Sequence, residues 1–289
     1  MDTKMEKTSL STRIKREVTP GKVLIYIGLI IGALIMFWPF FWMISSAFKT
    51  AHEISSFPPV FFPSNWLNFE NFIKAFETAP FAKYFINSVI VTVACVALTT
   101  ITTILASFAF SRLKFKGRDI MFTLLLSFMM VPFEMLAMTN VTTIVQWGLH
   151  NTIISLIIPF TTSIYYTFIL RNFFISIPDS LYYSARIDGA SNWKYLWKIM
   201  VPIAKPSLMT IILLNALTCW NSFFWTRIII TSPENRTLPF GLYAFMSEGG
   251  TEFGPYMAAA TIVVVPMIIL FLFARKHIVN GVARGGLKG

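Results

Sequence analysis

The sequence predicts an all-α membrane protein with six transmembrane helices, both termini inside, and a two-helix cytoplasmic loop. Three observations lead there. Of 289 residues, 55% are hydrophobic and only 13% charged, against about 25% charged in a soluble domain. The apolar residues fall in six runs near the roughly 20 residues that cross a bilayer core of about 30 Å. Nineteen of the 24 Lys and Arg fall on one side of those runs, the asymmetry that marks the cytoplasmic face. A water-soluble enzyme, a disordered chain and a collagen-like fibre are excluded by the same composition, with 29 Phe and no Gly period.

Residues 1–22 form a basic cytoplasmic segment with six Lys and Arg. The long basic region and the absence of a small-x-small site after the first run argue for a retained segment. Residues 23–274 hold the six spans. The first, 23–48, ends in an aromatic belt of Phe37, Trp38, Phe40, Phe41 and Trp42. Gly28 and Gly32 make a G-x-x-x-G step, which either admits a neighbouring helix or reflects the ordinary frequency of small residues in membrane helices. An outer segment, 68–76, places Phe69, Phe72, Ile73 and Phe76 on one helical face suited to a membrane interface. The second span is 84–110, followed by the basic turn Arg112, Lys114, Lys116, Arg118. The third, 120–140, contains Pro132 and Glu134, the only carboxylate well inside an assigned span. Glu134 either lines a pathway or is a satisfied structural group. The fourth is 152–177, the fifth 207–230 and the sixth 256–274. Continuous runs of this length argue for helices rather than barrel strands. Pro39, Pro132, Pro159 and Pro266 are expected to kink their helices. A basic tail, 275–289, closes the chain.

Several chemistries lack their residues. No G-x-x-x-x-G-K-[ST] phosphate loop occurs, nor H-E-x-x-H, nor G-x-S-x-G. Cys95 and Cys219 lie in apolar runs and suggest neither a disulfide framework nor a metal site. The net charge of +11 follows from membrane orientation and requires no nucleic acid.

The loop 178–206 is too structured for a linker. Asp179 or Ser180 is expected to cap a first helix, and Gly189 to end it in the left-handed region. Ser191 is expected to cap a second helix, on which Trp193, Leu196, Trp197 and Met200 share the spacing of one apolar stripe. Pro202 and Pro206 stop that helix and start the next span.

This loop resembles the EAA signature of ABC importer permeases, in the carbohydrate-uptake family that includes the maltose-type, binding-protein-dependent permeases. Ala185, Arg186, Ile187, Asp188, Gly189 and Ala190 match as they stand, and Ile199 to Pro202 resembles the ending. Tyr183 stands at the signature Glu position and Ser184 at the first Ala, so the family's carboxylate is missing here. Asn87 and Ser88, the turn FSRLKFKGRD at 110–119, the pair Trp220 and Asn221, and the tail GVARGGLKG at 281–289 extend the resemblance along most of the chain.

The resemblance implies a non-catalytic permease subunit in a prokaryotic cell membrane. ATP and Mg would be bound by a partner, a cytoplasmic ABC ATPase dimer, and this chain itself would hold no cofactor. A second homologous permease subunit would complete the pore, and an extracellular solute-binding protein would deliver a sugar. The loop residues Leu181, Tyr183, Ser184, Ala185, Arg186, Asp188, Gly189, Ala190, Leu196 and Met200 would couple to the ATPase, with Leu181, Leu196 and Met200 as apolar anchors. Glu134, Asn215, Trp220 and Asn221 have the side-chain types that recognise a sugar, although Trp220 and Asn221 equally suit helix packing. In maltose-type relatives the last outer loop reaches into the binding protein, a role that would fall here to residues around Gly249, Gly250 and Gly254. A permease for another solute, such as a glycerol phosphate, and a stand-alone secondary carrier are the alternatives.

Overall fold

The computed structural model describes residues 20–245 and 252–285, with side chains to residue 272. Gly249 and Gly250 lie outside the described residues. Helices and turns account for the ordered elements, with no strand among the described residues.

The first helix, α1 (Pro20–Ala47), runs on through Pro39. It leads to a short α2 (Ala51–Ser55) and then α3 (Glu70–Thr78). The longest membrane helix of the central part is α4 (Phe81–Arg112). Next come α5 (Arg118–Phe128) and α6 (Phe133–Gln146). After them, α7 (Ile153–Ile157) continues through a tight turn to Phe160 before α8 (Ile164–Ser176). The loop region holds α9 (Asp179–Ile187) and α10 (Asn192–Ile203). Then α11 (Lys205–Trp220), α12 (Phe224–Ile229), α13 (Leu238–Gly241) and α14 (Phe253–Gly285) complete the chain.

Three helices are long and apolar enough to cross a membrane alone: α1, α4 and the apolar part of α14. The other expected spans are broken. The helices α5 and α6 meet at 97°, α7 and α8 at 43°, and α10 and α11 at 80°, so six spans require each bent pair to count as one. The expected continuous third span is therefore corrected to two half-helices. Pro132 is the cause, since it is the N-cap of α6 in extended backbone and cannot donate to the helix before it. The expected fifth span also ends early, at Trp220, and resumes as the separate α12.

The chain divides into two compact units. The first comprises Met1–Phe72 with Glu252–Thr261. In it, residues 21–40 of α1 are exposed throughout. So long an apolar surface cannot face water, because burial of such groups is what drives folding there. Past the membrane helix, Ser45 Oγ donates to the Phe61 carbonyl at 2.6 Å. Asn71 Nδ2 donates to the carbonyls of Ala47 and Lys49 at 3.0 and 2.7 Å, satisfying the end of α1. Thr50 and Glu53 form a reciprocal capping box on α2, and Glu53 also accepts from the Ser64 backbone at 2.8 Å. These N–H groups, that of Thr50 foremost, hold the Glu53 carboxyl at about 2.

The second unit comprises Ile73–Thr251 with Ile262–Gly289. Its centre is α4, packed against α8 and α11. Hydroxyls on α4 accept the task of satisfying the broken fourth span. Thr99 donates to the Phe160 carbonyl, Thr102 to Thr161 at 2.8 Å and Ser107 to Thr167 at 3.0 Å. In a bilayer the carbonyls of Phe160 and Thr161, at the break, have no water to turn to, so each of their bonds removes a cost of several kcal/mol, on the order of a lost hydrogen bond in hydrocarbon, while Thr167 lies within α8. On α3 the buried positions are Asn71 and Ala75, with Ala79 just after it, while Ile73 and Phe76, and Phe69 just before it, are exposed. The expected aromatic face exists, but it is the outward one.

Candidate functional site

The loop 178–206 folds as two helices on a buried base. α9 begins after Pro178 with no side-chain cap, so the expected capping by Asp179 or Ser180 is corrected. Asp179 is drawn instead to Arg112, whose Nη1 it accepts. Arg112 is buried at the end of α4, and its Nη2 donates to the carbonyls of Phe174 and Ile177 at 2.7 and 2.5 Å. One guanidinium thus closes the C-terminal end of α8 and ties the start of α9 to α4.

The turn between the helices is a Schellman closure. Ala190 N–H donates to the Ala185 carbonyl at 2.9 Å and Gly189 N–H to Arg186 at 3.1 Å. Gly189 has φ +75°, where a side chain is strained. Ser191 accepts from Lys194 N–H at 3.2 Å and caps α10 as expected. Tyr182 Oη donates to Asn192 Oδ1 at 2.9 Å, and its ring packs on Tyr195 edge to face, 5.0 Å between centroids. The two helices therefore form one rigid piece.

Burial sorts the loop residues into two sets. Ala185, Ala190, Leu196 and Met200 belong to the core that also holds Phe108, Leu170 and Phe174. Leu196 is 1% exposed and Met200 0%. The expectation that these two anchor the loop in a partner is corrected, because their side chains are already used inside this chain. The exposed set is Leu181, Tyr183, Ser184, Arg186, Asp188, and also Ile187 at 86% and Trp193 at 63%. Leu196 and Met200 are buried and Trp197 packs against the same core, so the predicted stripe holds at three members and departs at Trp193; between them α10 widens at Leu196–Met200 into a π-type turn. The extra residue rotates Trp193 away from the face of Met200.

A second feature is a cavity of about 480 Å³. Glu134, Asn215 and Asn221 line it together, with Cys95, Phe160 and Trp225 among its walls. Three chain breaks border it: Phe133 and Glu134 follow the α5–α6 bend, Phe160 precedes the α7–α8 bend, and Asn221 to Phe223 separate α11 from α12. Irregular backbone at membrane depth is tolerated where it lines a cavity, and broken helices around a central site are a transporter device. Asn215 is buried, its Nδ2 has no partner among the described residues, and its Oδ1 faces Cys219 Sγ at 3.5 Å. Asn221 donates to the Leu217 carbonyl at 3.0 Å.

Trp220 does not line this cavity. It is buried, donates from Nε1 to the Val263 carbonyl at 3.1 Å and packs edge-on against Phe85. Of the two roles open to it in the sequence, these contacts are those of helix packing. Gly254 is also corrected. It is buried at the start of α14, where an added Cβ would lie 2.4 Å from Asn71 Oδ1. It is a packing position and not part of a free loop.

Two clasps were not foreseen. Asn87 Nδ2 donates to the carbonyls of Glu234 and Arg236 at 2.8 and 2.9 Å, and Ser88 Oγ accepts from Leu238 N–H at 2.8 Å. Asn151, at φ 58°, accepts through Oδ1 from the backbones of Thr231 and Ser232 at 3.1 and 3.0 Å. Together they fix the segment 231–238.

Long helices with unburied apolar faces, half-helices meeting at a cavity and a rigid two-helix loop are features of a multi-pass membrane transport component. The chain belongs to the family described as the binding-protein-dependent transport system inner membrane component, which matches residues 99–284. Among similar proteins is the arabinooligosaccharides transport system permease protein AraQ of Halalkalibacterium halodurans, 31% identical over 280 residues, covering 96% of this chain and all of that protein. The diacetylchitobiose uptake system permease protein DasC of Streptomyces coelicolor is 31% identical over 98% of this chain and 100% of its own. The trehalose/maltose transport system permease protein MalG of Thermococcus litoralis is 33% identical over 95% and 99%. A solved bacterial ABC transporter involved in the import of the acidic polysaccharide alginate has a chain that superposes with a TM-score of 0.78 at 23% identity, over 93% of this chain and 98% of that one. The fold is that of an ABC importer permease.

Proposed function

We propose that this chain is one permease subunit of an ATP-binding-cassette importer for a sugar or oligosaccharide. It forms half of a pore with a second, homologous permease. A cytoplasmic ATPase dimer drives it and an extracellular binding protein supplies the solute. Relatives named for arabinooligosaccharide, diacetylchitobiose and trehalose/maltose transport support the substrate class. The bent pairs α5–α6 and α7–α8 each make one span, and α11 with α12 makes the fifth, giving six with both termini inside. The Lys and Arg distribution supports that orientation. ATP and Mg belong to the ATPase, and this chain has no phosphate loop to bind them.

The observation that carries the reading is the α9–Gly189–α10 piece, whose base is locked into the core while its tip stays exposed. Such a piece transmits a push without deforming. The docking face is Tyr183, Ile187 and Trp193, with Leu181 beside them, and aromatic and aliphatic groups of this kind dominate interface energies. In the translocation path, Glu134, Asn215 and Asn221 offer hydroxyl-binding groups at the cavity. The segment around Gly249 and Gly250 is the proposed contact with the binding protein.

Co-purification tests the assembly and substitution tests the coupling. The full chain, isolated from its own cell membrane, is expected to bring an ATPase pair with it. Ile187→Asp and Trp193→Ala should each reduce solute-stimulated ATP hydrolysis and uptake at least tenfold, since burying an unpaired charge or losing an aromatic anchor costs about 2 kcal/mol or more. Uptake by the chain alone in protein-free vesicles, or normal coupling in both variants, would sink the reading.

A further inference from the structure

Four cationic side chains converge on a cleft of about 780 Å³ between the end of α4, the start of α5, the end of α8 and the α9–α10 piece. They are Arg112, Lys114, Arg118 and Arg171. The carboxylates beside them are two. Asp179 is taken by Arg112, and Asp119 is shared by Arg118 at 3.0 Å and Arg171 at 3.6 Å. Among the described residues Lys114 has no carboxylate partner and the buried Nε of Arg112 has no acceptor. A buried guanidinium N–H without an acceptor is costly, and four cations about two carboxylates repel one another. The cleft is therefore short of negative charge. Tyr182 and Asn192 add polar groups to its wall. Beside it lies an exposed apolar edge made by Phe115, Ile120 and Ile175.

We propose that this cleft binds the phosphate of an anionic phospholipid headgroup, with the acyl chains lying along Phe115, Ile120 and Ile175. Guanidinium forks match phosphate oxygens two at a time, while Lys114 supplies a point charge. Basic pockets between membrane helices on the cytoplasmic side recognise headgroups by this chemistry. The apolar edge favours a lipid over a free phosphate, which would gain nothing from it. The headgroup would touch both α4 and the α9–α10 piece, so lipid charge would stiffen the joint through which the loop is held. That last consequence rests on the permease reading; the binding site itself does not.

The full chain with its accompanying subunits is placed in phosphatidylcholine nanodiscs doped with phosphatidylglycerol, then released and weighed intact by native mass spectrometry. Phosphatidylglycerol should stay bound in preference to phosphatidylcholine. Lys114→Gln, which breaks no contact within the chain, should weaken retention about fivefold, and Lys114→Gln with Arg118→Gln further by a similar factor. Lys83→Gln, an equal charge loss elsewhere, should leave it unchanged. Equal retention of both lipids, or no difference between Lys114→Gln and Lys83→Gln, overturns the site. Inorganic phosphate in lipid-free detergent is the second probe: protection from thermal unfolding as strong as that by phosphatidylglycerol would reassign the cleft to free phosphate and overturn the lipid. Loss of lipid selectivity with coupled uptake intact defeats this site alone, whereas lipid binding without any accompanying ATPase defeats the permease reading alone.

Discussion

Gly189 and Arg112 carry the two contacts on which the loop depends, and each gives a measurable expectation. Nothing lies within 4 Å of a Cβ built on Gly189, so Gly189→Ala meets only backbone strain at φ +75°. The cost is about 1 kcal/mol, seen as roughly fivefold faster hydrogen exchange at the amides of residues 189 and 190. An unchanged exchange rate would mean that the turn is not held in the left-handed region. Arg112→Gln removes the donors to Phe174 and Ile177 and frees Asp179. The Phe174 carbonyl keeps the Ile177 N–H at 3.2 Å, while the Ile177 carbonyl loses its Arg112 donor at a cost of about 1–3 kcal/mol, so the assembly should lose thermal stability, and coupling should fall even where folding is preserved at low temperature. Gly189 was readable in the sequence because turn chemistry is local. The Arg112–Asp179 pair was not, since 67 residues separate its members and nothing local marks which of the basic residues turns inward.

At the scale of elements, caps and long apolar helices were legible and their interruptions were not. Ser191, the two-helix loop and the extents of α1 and α4 agree with the residue pattern, because each is set by neighbours in sequence. The 97° turn between α5 and α6 exceeds what Pro132 alone foretells, as the angle depends on packing around the cavity. The stripe on α10 holds at Leu196, Trp197 and Met200 and departs at Trp193, because periodicity assumes 3.6 residues per turn and the wider turn at Leu196–Met200 shifts the register between them. Chemical type points to Glu134, Asn215 and Asn221, which share a cavity, and equally to Trp220, which packs between helices. The outer α2 gives a pH expectation. Glu53 titrates near 2 in the folded chain against an ordinary value of 4.5. Its capping contribution is therefore fully present above pH 4.5 and is lost as pH falls through about 2. Proteolytic protection of residues 50–64 should drop over that window. Glu53→Gln should flatten the profile; an identical acid profile in the variant would show that another group governs it.

For the whole molecule, fold class was the most legible level, since scarcity of charge and long apolar runs admit few architectures. What composition does not reveal is how one helix links the two ends. The helix α4 is fastened at its beginning through Asn87 and Ser88 to the 234–238 segment, and at its finish through Arg112 to the α8–α9 junction. Its 32 residues span about 48 Å. Both attachments thus ride on one rigid rod, for which a tilt of about 5° around its middle is a displacement of about 2 Å at each tip, in opposite senses.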